Sequence, residues 1–340
     1  MEEIDFILPW VDDSDAAWHA SKRQYAAKDS GASAADANSS CRFRDNGLLR
    51  YWFRGIEKYS PWVRRVHFVT CGHYPAWLNI NHPKLHLVNH SDYIPKEYLP
   101  TFNSNTIELN YHRIKELSER FVLFNDDMLL TRDVTPGDYF FKGDPILESS
   151  LRYTGKVGYN NWSRFVFNDY CIVNNSFDIR KSIWDNRRKW FNIRELGVKQ
   201  ARKNLLCYLA NQTLPVGLYG HIALPHLKSS LQELWDRYPD VMDNSCRHRF
   251  RSDDQVNQWL LCAWNQAKGR FYPTRPFKQG RLISITPNTI GWIDNAIRSQ
   301  GYPLLCLNEN ERSSDLENSM RIIRAAFNFI LPGKSSFEMD

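Results

Sequence analysis

The sequence predicts an α/β fold with a mostly parallel central sheet. Three observations indicate this class. Short apolar runs alternate with segments of helical spacing, acidic residues follow two of the runs, and the 42% hydrophobic content of the 340 residues is enough for a large core. A disordered chain is therefore excluded. Because parallel sheets bind ligands outside the carboxyl ends of their strands, we expect the acidic residues to mark a functional edge.

The predicted strands are apolar runs bounded by polar residues. They span residues 4–10, 65–70, 84–89 and 120–125. An acidic segment from Asp12 to Asp15 follows the first strand, and Asp126 and Asp127 follow the last. The two acidic segments should therefore lie side by side at one edge of the sheet.

Two helices are predicted in the N-terminal part of the chain. Apolar residues recur at helical spacing over 48–56, and Asp45 is placed to cap that helix. The second helix is predicted over 107–119, directly ahead of the last strand. Glu108 and His112 would then share one face of it, as a site pair or as a surface pair.

The C-terminal part is predicted to be mainly helical. Region 180–215 is basic and helical in character, which predicts an inserted helical subdomain within a single domain of residues 1–340. Segments 230–233 and 252–255 have capping-box form and each predict the start of a helix, the second of which would end at Gly269. An amphipathic helix over 320–331 is expected to pack onto the domain rather than to lie on a membrane surface.

Composition excludes several classes of protein. The 44 basic and 38 acidic residues give a net charge of +6, too dilute to predict binding of nucleic acid. The seven cysteines show no paired CxxC spacing, so we expect reduced thiols. The acidic N-terminus is not of signal-peptide type, and no apolar run is long enough to span a membrane. We therefore expect a cytoplasmic protein.

The sequence contains no motif typical of dehydrogenases, P-loop kinases, zincins or α/β-hydrolases. Adjacent carboxylates at Asp126 and Asp127 favour a hard divalent cation and an ordinary acidic turn about equally. His226 is either a general base or a hydrogen-bonded structural histidine. Arg251 closes a basic cluster that suits an anion site and a solvated charge run equally well.

Four segments, taken in order, resemble the conserved blocks of the Stealth family. The first extends from Ile4 to Trp18, and the second from Arg42 to Asp127. The third covers 224–252. The fourth covers 306–309, where the family usually has Asn-Asp and this chain has Asn-Glu. The resemblance covers most of the chain and leaves out roughly residues 140–215.

The resemblance implies a glycosyltransferase-A-like fold and a sugar-1-phosphate transferase. Members of the family include bacterial capsular and receptor polysaccharide phosphotransferases and the catalytic subunit of the animal N-acetylglucosamine-1-phosphotransferase. The implied reaction transfers a hexose or N-acetylhexosamine 1-phosphate from a nucleotide sugar, with a UDP-sugar as the expected donor, to a hydroxyl of a glycan. It releases the nucleoside monophosphate. For a bacterial enzyme, the implied acceptor is a growing repeat unit on a lipid carrier. We then expect the basic insert at 180–203 to face either the inner surface of the membrane or the acceptor.

The resemblance also implies roles for individual residues. Asp45, His226 and Arg251 match catalytic positions, and either His226 or Asp45 would accept the proton of the acceptor hydroxyl. Asp126 and Asp127 would hold the cofactor, Mg²⁺ or Mn²⁺. The other polar residues of these blocks that we assign to substrate binding are Asp12, Asp15, Asn46, Arg50, Asn103, Glu108, Arg113 and Asn125.

Two alternative functions remain at this point. A conventional glycosyltransferase on the same fold would release the nucleoside diphosphate instead of the monophosphate. A non-catalytic glycan-binding protein would use some of the 12 Trp and 16 Tyr residues for stacking on sugars.

Overall fold

The computed structural model describes residues 3–27, 46–151, 161–210, 221–309 and 316–339. Its central sheet has five strands in the order β3-β2-β1-β4-β8. The first four run parallel and β8 pairs antiparallel with β4, which confirms the predicted α/β class with a mostly parallel sheet. In chain order the strands are β1 (Ile4–Pro9), β2 (Val66–Thr70), β3 (Leu85–Asn89), β4 (Arg120–Leu123), β5 (Met128–Leu130), β6 (Phe140–Phe141), β7 (Asp144–Glu148), β8 (Leu224–Leu227), β9 (Tyr272–Thr274), β10 (Arg281–Ile285) and β11 (Leu304–Glu309).

Helices account for most of the described residues in the C-terminal half of the chain. In chain order they are α1 (Ala16–Ala26), α2 (Leu49–Tyr59), α3 (His90–Tyr93), α4 (Ser104–Leu109), α5 (Asn161–Ser176), α6 (Ile179–Asp185), α7 (Arg187–Trp190), α8 (Ile193–Leu209), α9 (Lys228–Arg237), α10 (Pro239–Arg247), α11 (Trp259–Ala267), α12 (Ile290–Arg298) and α13 (Leu316–Ile330). No helix in the described ranges is both long and apolar enough to cross a membrane.

The central strands are buried on both faces, as parallel strands usually are. Phe6, Ile7 and Leu8 of β1 are fully buried, and so are Phe68 and Val69 of β2. This is why the first four predicted strands read as continuous apolar runs rather than as alternating ones. All four are confirmed, each shortened by one or two residues at one end.

A second, three-stranded sheet returns the chain to the edge where β4 ends. Its order is β10-β11-β5, and β5 begins directly after Asp127. β11 runs antiparallel to β5 with Cys306 opposite Met128, and the Leu307 amide donates to the Asp127 carbonyl at 2.9 Å. The last strand of the chain is therefore held against the acidic end of β4.

The predicted helix over 107–119 is wrong in both bounds. α4 begins early because the side chain of Asn103 caps it, accepting from the Asn105 amide. It ends at Leu109, and a separate 3₁₀ turn follows over Tyr111–Arg113. Glu108 and His112 therefore do not share one helix.

The two predicted capping boxes do not start helices either. α9 begins two residues before Ser230, whose buried hydroxyl donates to the Asn265 side chain instead. α11 begins at Trp259, well after Ser252, because Asp253 and Asp254 form a turn and residues 255–257 are irregular. The predicted end at Gly269 is confirmed by its φ of 72°, a left-handed conformation that favours glycine.

The region predicted as a helical insertion is helical as far as Leu209, and residues 211–215 lie outside the described part. It consists of α6, α7 and α8, and α8 bends at Gly197. The amphipathic helix predicted over 320–331 is confirmed as α13. It packs onto the domain through Ile323, Ala326 and Phe327.

Candidate active site

A cleft of about 250 Å³ lies at the carboxyl ends of the four parallel strands. Residues that follow each strand line it: Trp10 after β1, Cys71 after β2, His90 after β3 and Asn125 after β4. Leu307 and Glu309 of β11 close the opposite side. The edge predicted from the acidic segments is therefore the edge that carries the cleft.

The floor of the cleft is the turn after β4. Asn125, Asp126 and Asp127 all line it, as predicted for the acidic strand end. Oδ2 of Asp127 accepts from the Cys306 thiol at 3.3 Å and lies 3.7 Å from Nε2 of His221. That histidine nitrogen is also 3.2 Å from the Asn125 amide nitrogen. The turn is therefore held by side chains from two distant parts of the chain.

Neither His221 nor Cys306 was predicted as a site residue. Cys306 lies in the fourth conserved block, but we expected all the cysteines to be ordinary reduced thiols. The six cysteines within the described ranges are indeed free. His221 precedes β8, and only the antiparallel pairing of β8 with β4 brings it to the cleft. No local pattern marks it.

One wall of the cleft carries an acid-base pair. Glu108 and Arg251 both line it, and the Arg251 guanidinium donates to the Ser104 hydroxyl at 2.6 Å. Burial raises the pKa of Glu108 to about 7, and the positive charge of Arg251 opposes that rise. The carboxyl group therefore changes its protonation state near neutral pH, as expected of a group that handles protons in catalysis.

Asn103 positions this wall rather than contacting a ligand. It is fully buried, and its amide donates to the carbonyls of His248 and Phe250 at 2.9 and 3.2 Å. The Phe102 ring stacks on Phe250 at 5.3 Å between centroids. These contacts fasten the segment that carries Arg251 to the start of α4. Asn103 is therefore a positioning residue, although we predicted that it would bind substrate.

The acidic segment after β1 organises its own turn. Asp15 caps α1, accepting from the Trp18 amide at 2.7 Å. Asp12 accepts from the backbone and hydroxyl of Ser14, and its own amide donates to His73. Neither aspartate lines the cleft, whereas Val11 and Trp18 from the same segment do. The presence of Asp12 and Asp15 therefore has a local structural explanation, and their contact with substrate stays a prediction.

Two predicted arginines lie away from the cleft. Arg50 pairs with Glu338 at 3.0 Å and stacks over Trp77, which ties α2 to the end of the chain. Arg113 donates to Asn110 and stacks over Trp235. Both guanidinium groups are used in packing. Asn46, by contrast, lines the cleft and donates to Glu309 at 2.9 Å, and its contact with substrate stays a prediction.

His226 is buried within the sheet and does not line the cleft. It lies on β8 opposite Phe121, in the middle of β4, because the antiparallel pairing carries β8 away from the acidic strand end. Nε2 is 3.2 Å from the Gln258 side chain, and burial lowers the pKa of His226 to about 4. The imidazole is therefore neutral at pH 7. Asp45, the other predicted proton acceptor, lies outside the described residues.

Two family models match the N-terminal half of the chain. The family model of Stealth protein conserved region 1 matches residues 2–30, and that of conserved region 2 matches residues 42–146. Among solved structures, galactosyltransferase LgtC in complex with donor and acceptor sugar analogues is similar over 98% of both chains, with 10% identity and a TM-score of 0.39.

Similar proteins align along the whole chain. The capsular polysaccharide phosphotransferase WcwK of Streptococcus pneumoniae is 38% identical over 99% of both chains. The receptor polysaccharide phosphotransferase WefC of Streptococcus gordonii is 36% identical over 100% of both. The exopolysaccharide phosphotransferase cps2G of Lactiplantibacillus plantarum is 32% identical over 99% of this chain and 96% of its own. The chain therefore belongs to the Stealth family, and it is an enzyme of the phosphotransferase class.

Proposed function

We propose that the protein transfers a sugar 1-phosphate from a nucleotide sugar to a hydroxyl of a glycan acceptor in polysaccharide synthesis. The observation that carries the proposal is a single cleft that combines Arg251, the buried Glu108 and the carboxylates of Asp126 and Asp127. Phosphoryl transfer needs charge neutralisation, positioning and an acceptor for one proton. Those three requirements match these residues.

In the proposed reaction, the acceptor hydroxyl attacks the phosphorus nearest the sugar. A new bond forms between the acceptor oxygen and that phosphorus, and the bond from phosphorus to the bridging oxygen of the nucleotide breaks. The nucleoside monophosphate leaves with the electron pair of that bond. Arg251 is placed to donate hydrogen bonds to the diphosphate, where negative charge accumulates.

Glu108 is our candidate for the group that takes the proton of the acceptor hydroxyl. It lines the cleft beside Arg251, whereas His226 does not line it. A pKa near 7 suits a general base at neutral pH better than a pKa near 4. We therefore propose Glu108, which we had predicted only to bind substrate, as the proton acceptor in place of His226 or Asp45.

A divalent cation, Mg²⁺ or Mn²⁺, is proposed to bind at Asp126 and Asp127. The carboxylate Oδ1 of Asp127 is buried and has no hydrogen-bond partner among the described residues, which suits a cation ligand. When bound, the cation would supply positive charge to the donor diphosphate.

A donor screen tests the reaction. The purified protein is incubated with a divalent cation, a glycan acceptor and several nucleotide sugars, starting with UDP-sugars, and the released nucleotide is identified by mass. We expect the nucleoside monophosphate. Release of the diphosphate would mean attack on the sugar carbon and a conventional glycosyltransferase. Binding of glycan without turnover of any donor would favour a glycan-binding protein.

The acceptor is proposed to be a glycan on a lipid carrier, reached through the outer surface of α8. Val198, Leu205, Leu206 and Leu209 lie on one side of this helix, with 41–66% of each side chain exposed. The exposed charged residues of α8 are all basic: Arg194, Lys199, Arg202 and Lys203. An apolar helix face flanked by basic residues suits an anionic membrane surface.

Flotation with vesicles of anionic and zwitterionic lipid tests this surface. Reversing two charges, with Arg202→Glu and Lys203→Glu, should lower binding to anionic vesicles about tenfold or more, because each basic residue near the surface contributes about 1 kcal/mol. The control variant is Phe329→Ser, which removes from α13 an apolar side chain as exposed as those on α8. Unchanged binding of the double variant would contradict the membrane contact.

A further inference from the structure

Three potential metal-ligand atoms of different chemistry meet at the floor of the cleft. They are a carboxylate oxygen of Asp127 after β4, Nε2 of His221 before β8, and Sγ of Cys306 in β11. All three atoms lie within 4.8 Å of one another. They come from parts of the chain far apart in sequence, so their meeting is a product of the fold.

The distances suit a small cation bound by all three. Oδ2 of Asp127 is 3.3 Å from the Cys306 sulfur and 3.7 Å from the His221 nitrogen. Ligand bonds of about 2.0–2.3 Å in a tetrahedron imply about 3.3–3.8 Å between ligand atoms. Two edges of such a tetrahedron are therefore already in place. Without a cation, the Cys306 thiol donates a hydrogen bond to Asp127, and the His221 nitrogen contacts the side chain of Asn125.

The backbone holds the donors in this arrangement. Cys306 is fully buried and paired with Met128, and the amide of the next residue, Leu307, is bonded to the Asp127 carbonyl. Asp127 and His221 line the cleft, whereas Cys306 lies behind them. A cation held by the three side chains would therefore keep its remaining coordination position on the cleft side, where substrate oxygens arrive.

We propose that Asp127, His221 and Cys306 form a binding site for a borderline divalent cation of the Zn²⁺ class. Binding would replace the thiol proton of Cys306, so that one cation enters and one proton leaves. Mg²⁺ takes oxygen ligands and retains its water, and thiolate and imidazole donors favour Zn²⁺, Co²⁺ and their neighbours. This site differs in its ligands from the Mg²⁺ or Mn²⁺ site of the proposed function, with which it shares only the Asp127 carboxylate. It concerns the resting protein, so it holds or fails without any turnover.

Cobalt provides the test, because a thiolate bound to Co²⁺ gives a charge-transfer band in the near ultraviolet. Metal-free full-length protein is titrated with Co²⁺ in the absence of donor. We expect a saturable band in the wild type at one Co²⁺ per chain. Cys306→Ser should abolish the band, and His221→Ala should weaken Co²⁺ binding at least about tenfold. A Mg²⁺ excess of about a thousandfold should leave the band in place.

Two other cysteines serve as matched controls. Cys71 lines the same cleft and its sulfur lies 3.3 Å from Nδ1 of His73, so Cys71→Ser tests whether that pair binds the cobalt. Cys171→Ser changes an exposed thiol elsewhere. Both should keep the band. A band that survives Cys306→Ser, or that Mg²⁺ removes, would overturn the proposal. Thermal unfolding of each metal-free variant shows that the protein is folded.

Discussion

Replacing Arg251 with alanine is expected to lower kcat/KM about 10³-fold. Its guanidinium donates to Ser104 in the cleft where we propose that the donor diphosphate binds. Removing one preorganised donor to a developing negative charge costs about 10²–10³-fold, and arginines in phosphoryl transfer contribute about 10³–10⁵-fold. Steady-state rates with the donor found in the screen provide the measurement.

The matched control for Arg251 is Arg247→Ala. Arg247 belongs to the same basic cluster, but it pairs with Asp243 on the surface and does not line the cleft. Its removal should change kcat/KM less than about twofold, as expected for a surface ion pair. Arg251→Lys should recover part of the lost activity, because lysine retains the charge without the bidentate geometry. A loss below about fivefold in folded Arg251→Ala would contradict the assignment.

Replacing Glu108 with glutamine should lower kcat about 10²–10⁴-fold and change the pH profile. Burial raises the pKa of Glu108 to about 7, so the carboxylate that accepts a proton forms only as the pH rises through that value. Wild-type kcat/KM should therefore increase from pH 6 to pH 8 and then level off. The variant should lose this acidic limb, because the amide does not titrate. Rates measured across this range check the prediction.

Stability provides an independent control for Glu108. The folded pKa lies above the ordinary value of 4.5, so ionisation of Glu108 destabilises the fold progressively as the pH rises from about 4.5 through 7. Glu108→Gln should therefore unfold at a higher temperature than the wild type at pH 8, even though its activity is lower. If His226 were the base instead, the limb would lie near pH 4, and His226→Ala would lose activity while Glu108→Gln kept it.

The four parallel strands and the edge of the sheet that carries the cleft were predictable from local patterns. Buried parallel strands require continuous apolar runs, and polar residues at their carboxyl ends have few structural reasons to be there. Asn125, Asp126 and Asp127 were identified in this way. Helix starts were less predictable. The side chain of Asn103 starts α4 before the predicted position, and tertiary packing uses the hydroxyl of Ser230 for another hydrogen bond.

The fold class, the acidic edge of the cleft and the family could all be inferred from the amino-acid sequence. Those properties depend on residues that are neighbours in the chain or that recur at a fixed spacing. Which polar residues face the cleft depends on the fold, because burial and charge depend on contacts between distant segments. The fold leaves Arg50, Arg113 and His226 away from the cleft and brings His221 and Cys306 next to Asp127. It also buries Glu108, and this burial raises the pKa of the carboxyl group.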